Sequence, residues 1–166
     1  KSIENLYAFG KKNGATDYEP APTVRTEHAM VVLLDAYNKG YEVDIKRIKD
    51  SLIKDAESLD YGAPDKALES SYDNWAMAQL MKIDGDTTLY NKYITKSLDY
   101  KEYWNKDFKD ITRNDVDRMQ ARGLYQGTIW QYRWFFPFDL NGLKQLAGGE
   151  DQFLEELDTF FRNHNY

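Results

Sequence analysis

The sequence predicts an all-α protein made of helical hairpins, and three observations lead to this prediction. Apolar residues recur at spacings of three and four along most of the 166 residues, which is the period of an amphipathic helix. Glycines and the four prolines fall in short segments between the periodic stretches. Helices that are apolar nearly all round alternate with helices that carry one apolar stripe. We therefore expect inner helices wrapped by outer helices, as in an α/α barrel, although a helical solenoid shows a similar alternation.

The first two predicted helices show this alternation. Residues from about 23 to 39 are apolar around most of the helix, and Gly40 is a typical helix stop because glycine adopts the left-handed cap conformation without strain. Such a helix is expected to be buried on nearly all sides. Residues from about 43 to 58 carry a narrow apolar stripe among many charged residues, which predicts a surface helix with one buried face. The stripe consists of Ile45, Ile48, Leu52 and Ala56.

The later helices continue the pattern. A third helix is expected from about residue 65 to 82, and its apolar residues predict burial on most sides. Gly85 and Asp86 provide a stop and an N-cap for a fourth, amphipathic helix from about 87 to 104. A final helix is expected from about 151 to 162. Its apolar residues are Phe153, Leu154, Leu157, Phe160 and Phe161, and the residues predicted to point outward are Glu155, Glu156 and Asp158.

Composition narrows the class of protein. No linker or low-complexity tract interrupts the chain, so residues 1–166 are expected to form one all-helical domain. The net charge of −6 argues against a nucleic-acid partner, and no apolar run approaches the roughly 18 residues that span a bilayer. The absence of cysteine excludes disulfides and thiolate metal sites. The acidic residues between 107 and 117 lack the glycine and the alternation of a calcium loop, and we interpret them as solvated surface.

Aromatic residues make up 15% of the chain, and many of them lie between Leu124 and Asp139, in the segment LYQGTIWQYRWFFPFD. No single helical or strand period places all of these rings on one buried face. Two interpretations are open. The rings form a thick plug of core, or they line a sugar-binding rim, where flat rings stack on pyranose faces and Gln126, Gln131 and Arg133 bond hydroxyl groups.

This segment resembles glycoside hydrolase family 92, the calcium-dependent α-mannosidases. The family carries Tyr-x-Glu-Gly-Asn-x-Trp-Gln-Tyr-x-Trp-x-x-Pro-x-Asp, and residues 125–139 match it after the loss of one residue between the tyrosine and the glycine. The family's later Gly-Leu and Gly-Gly-x-x-x-Phe are similar to residues 142–143 and 148–153. Upstream, residues 28–40 resemble its His-Ala motif that ends in Asp-Ala-Tyr-x-Lys-Gly, and residues 72–80 resemble its Tyr-Asp-Asp/Asn-Trp-x-x-Ala-Gln-Leu.

The resemblance implies an (α/α)6 barrel. Family members carry an N-terminal β-sandwich and a large barrel, which needs on the order of 270 residues at about 45 residues per helical pair. We therefore expect the chain to be a fragment, about half of such a barrel, without glycosidase activity by itself. The family's catalytic aspartates and most of its calcium-contacting groups lie beyond the matched segments. Calcium is thus expected in the intact domain, and no metal is expected to be held by this chain alone.

Gln126 stands immediately before the glycine, where the family has the glutamate that acts as general acid. An inverting glycosidase needs an acid to protonate the leaving oxygen and a base to activate water, and a glutamine cannot give up a proton. Three interpretations follow. The leaving group needs no protonation, as in a sugar phosphodiester; another acid takes over, for which Glu27 is the candidate; or glycans are bound without being cut. Glu27 is also explained as a first-turn glutamate favoured by the helix dipole.

The remaining candidate site residues come from the same matched segments. His28, on a mostly apolar helix, is either a hydrogen-bonded core residue or a residue that lines the site. Trp75 and Trp104 are expected to belong to the core. The residues expected to contact substrate are Tyr125, Trp130, Gln131 and Tyr132.

The predicted function is hydrolysis of α-mannosidic linkages, inverting and metal-assisted in the intact enzyme, by an exported bacterial protein that is secreted or periplasmic. The expected partners are mannose-containing glycans and the remaining domains of the larger protein. The alternative is a non-catalytic helical domain that binds carbohydrate or a protein. Because half a barrel exposes the surface of its inner helices, we expect either a homodimer or rearranged packing.

Overall fold

The structure, a computed structural model, describes residues 28–163, and every regular element in this range is helical. This confirms the predicted all-α class. The α-helices are α1 (Ala29–Asn38), α2 (Ile45–Glu57), α3 (Pro64–Asp84), α4 (Thr87–Lys96), α5 (Tyr100–Tyr103), α6 (Ile129–Tyr132), α7 (Leu140–Leu146) and α8 (Glu150–Asn163). A π-helix spans Trp104–Phe108 and a 3₁₀-helix spans Ala121–Gly123.

The described residues divide into two compact units. The first contains residues 28–60 and 70–97, and the second contains residues 61–69 and 98–163. Helix α3 contributes its first turn and a half to the second unit and its remainder to the first. Among the described residues, none of the helices combines the length and the apolar character that crossing a bilayer requires.

The first unit is organised by capped helices around an aliphatic core. The carboxylate of Asp44 accepts the backbone N–H of Arg47 at 3.2 Å and so caps α2, and that of Asp86 accepts the N–H of Leu89 at 2.9 Å and caps α4. These bonds satisfy N–H groups that a helix start leaves without partners. The buried core consists of Met30, Leu33, Leu34, Ile45, Ile48, Leu52, Ala56, Ala76, Met77, Ala78, Leu80, Met81 and Tyr93.

The alternation of buried and surface helices holds for α2 and α3 but not for α1. The predicted stripe of α2 is buried as a set, and α3 is buried on most sides. Helix α1 was expected to be buried nearly all round, but Val32 is 64% exposed and Tyr37 is also exposed. The prediction is wrong there because an apolar residue on a helix is free to face solvent, and apolar atoms make up much of any protein surface. Residues 23–27 of that predicted helix lie outside the described residues.

The fourth predicted helix is interrupted. Instead of running to residue 104, α4 ends at Lys96, and three residues separate it from α5. The hydroxyl of Ser97 donates to the carbonyl of Ile94 at 2.7 Å. A serine that bonds its own helix backbone in this way competes with helical hydrogen bonding, which favours helix ends. The aromatic residues that follow continue as a π-helix, a form that the apolar spacing did not predict.

The second unit is built around aromatic rings. The prediction for the final helix is wrong in part. Leu154 is exposed and Phe161 is 74% exposed, whereas Glu156 points inward and pairs with Arg133. Only part of the predicted apolar face of α8 is therefore core. The buried core of this unit consists of Leu68, Tyr100, Trp104, Phe108, Val116, Ala121, Leu124, Ile129, Trp130, Phe136, Leu143, Ala147 and Phe153.

Candidate functional site

The segment that holds the predicted site residues is ordered by a capping box at the start of α6. The hydroxyl of Thr128 accepts the backbone N–H of Gln131 at 3.2 Å, and the side-chain oxygen of Gln131 accepts the backbone N–H of Thr128 at 2.8 Å. Such reciprocal bonds fix the entry of the chain into a helix. The side-chain oxygen of Gln131 is therefore engaged in local structure, and a role for Gln131 in binding sugar stays a prediction.

Gln126 lies on a short loop that is held on both sides. The backbone N–H of Tyr125 donates to the carboxylate of Asp65 at 3.0 Å, and the carbonyl of Gly127 accepts the backbone N–H of Gln120 at 3.0 Å. The side chain of Gln126 is exposed, and that of Tyr125 is 62% exposed. The loop thus presents two predicted site residues to solvent on an anchored backbone.

Gly127 is required by this loop for two reasons. Its φ of +80° is a left-handed conformation that side chains disfavour, and a Cβ atom there would lie 2.9 Å from Oε1 of Gln131 and 3.0 Å from a ring carbon of Tyr132.

We expect Gly127→Ala to lower the free energy of unfolding by more than the roughly 1–3 kcal/mol that the left-handed conformation alone costs a non-glycine residue, because the added Cβ is also crowded by Gln131 and Tyr132. Urea unfolding followed by circular dichroism measures this loss. The control is Gly85→Ala, where φ is +81° but nothing lies within 4 Å of the added Cβ. An equal loss in both variants would show that crowding in the Gln126 loop contributes nothing.

Asp65 is a residue of this site that the sequence did not single out. Its side chain is 3% exposed, one carboxylate oxygen accepts the N–H of Tyr125, and the other has no hydrogen-bond partner in the described part of the chain. The sequence placed this aspartate only at the start of the third helix. Its link to Tyr125, 60 positions away, depends on the fold, so no local signal could have found it.

Trp130 and Tyr132 follow Gln126 but differ in exposure. Trp130 is 5% exposed, and its ring stacks on those of Trp134 and Phe160 with centroids 6.1 Å apart in each case. Tyr132 is half-buried. In this structure the indole of Trp130 is part of the core, as the plug interpretation expects, and sugar-contacting roles for Trp130 and Tyr132 stay predictions.

Arg133 was considered as a group that bonds sugar hydroxyls, but its side chain is only 1% exposed. It donates to the carbonyl of Phe108 at 2.9 Å and to the carboxylate of Glu156. Burial lowers the pKa of the guanidinium, and the charge of Glu156 opposes that effect. The guanidinium carbon also lies 5.0–5.6 Å from the ring centroids of three tryptophans, namely Trp104, Trp130 and Trp134. Arg133 is therefore a structural cation of the aromatic core.

His28 belongs to the first unit, where its Nδ1 is paired with the carboxylate of Asp73. Asp73 is buried, while about a quarter of the His28 side chain is exposed. The pair is compatible with both interpretations of His28, as a bonded core residue and as a residue that lines a site. Glu27, the candidate replacement acid, lies outside the described residues. Trp104 is buried as expected, and Trp75 is half-buried against Tyr72.

The acidic stretch between 107 and 117 is not solvated surface throughout. The carboxylate of Asp115 accepts two hydrogen bonds from Arg122, at 2.6 and 3.0 Å, and one from Arg113 at 3.2 Å. The side chain of Arg122 is buried, and it also donates to the carbonyls of Asp107 and Asp110. These bonds hold Arg122 in a left-handed conformation, with φ of +56°. Arg122 and Asp115 thus brace the loop that leads to Gln126.

This pair gives a pH-dependent prediction. The hydrogen bonds from Arg122 lower the pKa of Asp115 to about 2, and the charge of Arg113 adds to the effect. A carboxyl whose pKa falls on folding stabilises the protein above its unfolded pKa, about 3.9, and loses that contribution as the pH falls toward 2. We expect urea midpoints of the wild type to drop between pH 4 and pH 2, and Asp115→Asn to show a smaller drop. Equal drops in both proteins would refute the role of this pair.

No group of three or more His, Cys, Asp or Glu residues between 28 and 163 is arranged to hold an ion.

A comparison with known protein families identifies the family of this chain. Residues 58–166 match the Glycosyl hydrolase family 92 catalytic domain, whose members have an α/α barrel. The match includes the loop of Gln126, the capping box and the aromatic core of the second unit. No curated protein matches the chain. The family's activity is glycoside hydrolysis, and its substrates are glycans. The chain belongs to the glycosyl hydrolase family 92 catalytic domains.

Proposed function

We propose that the chain is a segment of a glycoside hydrolase whose intact form hydrolyses α-mannosidic linkages with inversion, and that Gln126 occupies the position of the family's general acid. The observation that carries this proposal is the family match over residues 58–166, which includes the segment from Tyr125 to Asp139. Export from a bacterial cell and a requirement for calcium in the complete domain are part of the proposal and rest on the family resemblance alone.

The geometry of the Gln126 loop supports a role in orienting substrate. The backbone is fixed at Tyr125 by Asp65 and at Gly127 by Gln120, so the point from which the exposed side chain of Gln126 extends is held in place. A group that is positioned before substrate arrives costs less entropy when it binds. The amide of Gln126 donates a hydrogen bond to the leaving oxygen or accepts one from a sugar hydroxyl, but it supplies no proton.

Without a general acid at position 126, the site favours substrates whose leaving group departs as a stable anion. Departure of an alkoxide without protonation is slow, whereas a phosphate group leaves as a stable anion. A sugar phosphodiester therefore suits this site better than an ordinary disaccharide. Asp65 does not replace the acid in this structure, because its carboxyl is buried beneath the loop backbone.

The test is hydrolysis by the full-length protein of a mannosyl phosphodiester and of an α-linked mannobiose at equal concentration. We expect faster turnover of the phosphodiester, and proton NMR of the first product should show the β-anomer that inversion of an α-linkage requires. Release of the α-anomer would contradict inversion. Equal turnover of the two substrates would contradict the role of the missing acid.

A non-catalytic domain that binds carbohydrate or a protein is the second candidate, and the glutamine at Gln126 is the observation that favours it. This candidate predicts binding of glycans to the full-length protein without release of free sugar from either substrate. Turnover of either substrate that is lost on replacing Gln126 by alanine would exclude it.

A further inference from the structure

A pocket of about 190 Å³ in the second unit lies outside the predicted site. The loop of residues 61–64 forms one side, and the other lining residues are Tyr103, Lys106, Asp107 and Arg122. None of the residues predicted to contact substrate lines it. The pocket is smaller than the roughly 300–1,000 Å³ of pockets that enclose drug-sized ligands, so its size suits a single ring.

Two tyrosines supply aromatic surface to this pocket. The rings of Tyr61 and Tyr103 lie with centroids 6.1 Å apart and planes tilted by 35°, and both side chains are half-buried. A half-buried aromatic ring is held in place by packing while part of its surface faces the ligand. Such rings stack on the apolar face of a pyranose.

The polar side chains of the pocket differ in whether they already have hydrogen-bond partners among the described residues. Arg122 is engaged, because its guanidinium bonds to Asp115 and to two backbone carbonyls. The Lys106 ammonium and the Asp107 carboxylate have no hydrogen-bond or ion-pair partner among residues 28–163. One residue with a donor group and one residue with an acceptor group therefore line a ring-sized space beside two tyrosines. A ring with several hydroxyls, each able to donate and accept, satisfies both.

We propose that this pocket is a secondary sugar site that binds one pyranose ring of a glycan. Tyr61 and Tyr103 contact the apolar face of the ring, and Lys106 and Asp107 bond its hydroxyls. The choice of a sugar as ligand rests on the proposed function, but the site is separate from the Gln126 loop and needs no turnover. Its role is to hold a glycan chain while another part of that chain is processed.

The experiment is titration of the ¹⁵N-labelled protein with methyl α-D-mannopyranoside, followed by amide NMR. We expect saturable shifts at the amides of Gly62 and Lys106. Tyr103→Ala is expected to weaken binding by about tenfold, the loss of one aromatic contact. Lys106→Met, a change at an exposed side chain that leaves the core intact, is expected to weaken it severalfold. The matched control is Lys109→Met, an exposed lysine outside the pocket lining, which should bind as the wild type does.

Each possible result of the titration either supports or overturns the secondary sugar site. Shifts at the pocket that weaken in Lys106→Met and not in Lys109→Met support the site. Shifts confined to residues 125–132 and unchanged by Lys106→Met overturn it and leave the proposed function standing. The absence of any saturable shift also overturns it, and the hydrolysis assay then decides the proposed function independently.

Discussion

Gln126→Glu is expected to raise the turnover of simple α-mannosides by about 10²–10⁴-fold, the usual contribution of a general acid. The substitution keeps the length and shape of the side chain and adds a proton that can be transferred. The loop already holds position 126 by bonds at Tyr125 and Gly127 that do not involve the side chain, so its backbone should not change. The measurement is kcat/KM of the full-length protein on an α-linked mannobiose.

The matched control for this variant is Gln120→Glu. Gln120 is exposed and its backbone bonds to the same loop, so the control adds an equal charge without placing an acid at the family's position. We expect no gain from it. A gain of similar size in both variants would mean that charge rather than position is responsible, and no gain in Gln126→Glu would contradict the assignment of position 126.

Arg133→Met is expected to lower the free energy of unfolding by about 3–5 kcal/mol, the cost of removing one partner of a buried ion pair. The methionine fills much of the space among the tryptophans, but it leaves the Glu156 carboxylate without its cation and the carbonyl of Phe108 without its donor. Urea unfolding followed by tryptophan fluorescence measures the loss, because three of the four tryptophans contact Arg133.

Two further variants separate charge from packing. Arg133→Met combined with Glu156→Leu should recover much of the stability, because a buried ion pair replaced by apolar residues of similar volume is often neutral. Arg162→Met removes an exposed pair with Asp158 and should cost less than about 1 kcal/mol. A double variant no more stable than Arg133→Met would show that the ion pair is not the cause.

The parts of the fold that could be predicted from sequence are those decided by local pattern. The cap Asp86 and the apolar stripe of α2 are local signals; Asp86 bonds to the start of α4, and the stripe is buried. The interruption at Ser97 was missed because the apolar spacing continues through it. The exposure of Val32 was missed because periodicity places a residue on a face but does not say which faces find a partner.

The position of the candidate site stays a prediction, and the contacts that support its loop could not be predicted from the sequence. The motif placed Gln126 in the family's site, and the exposure of its side chain is compatible with that role. Asp65 bonds to Tyr125 across 60 positions, and Glu156 turns inward to a buried arginine. Both interactions depend on tertiary packing. On composition alone Arg133 was a reasonable sugar ligand, and only its burial assigns it to the core.

The dependence of wild-type kcat/KM on the pKa of the leaving group tests the central claim most directly. A series of aryl α-mannosides, from phenyl to dinitrophenyl, varies the need for protonation and leaves the sugar unchanged. If Gln126 occupies the acid position and supplies no proton, the rate of the full-length wild type rises steeply as the leaving-group pKa falls, and Gln126→Glu makes this dependence shallow. A shallow dependence in the wild type would contradict the account, because it would mean that a proton still reaches the leaving oxygen.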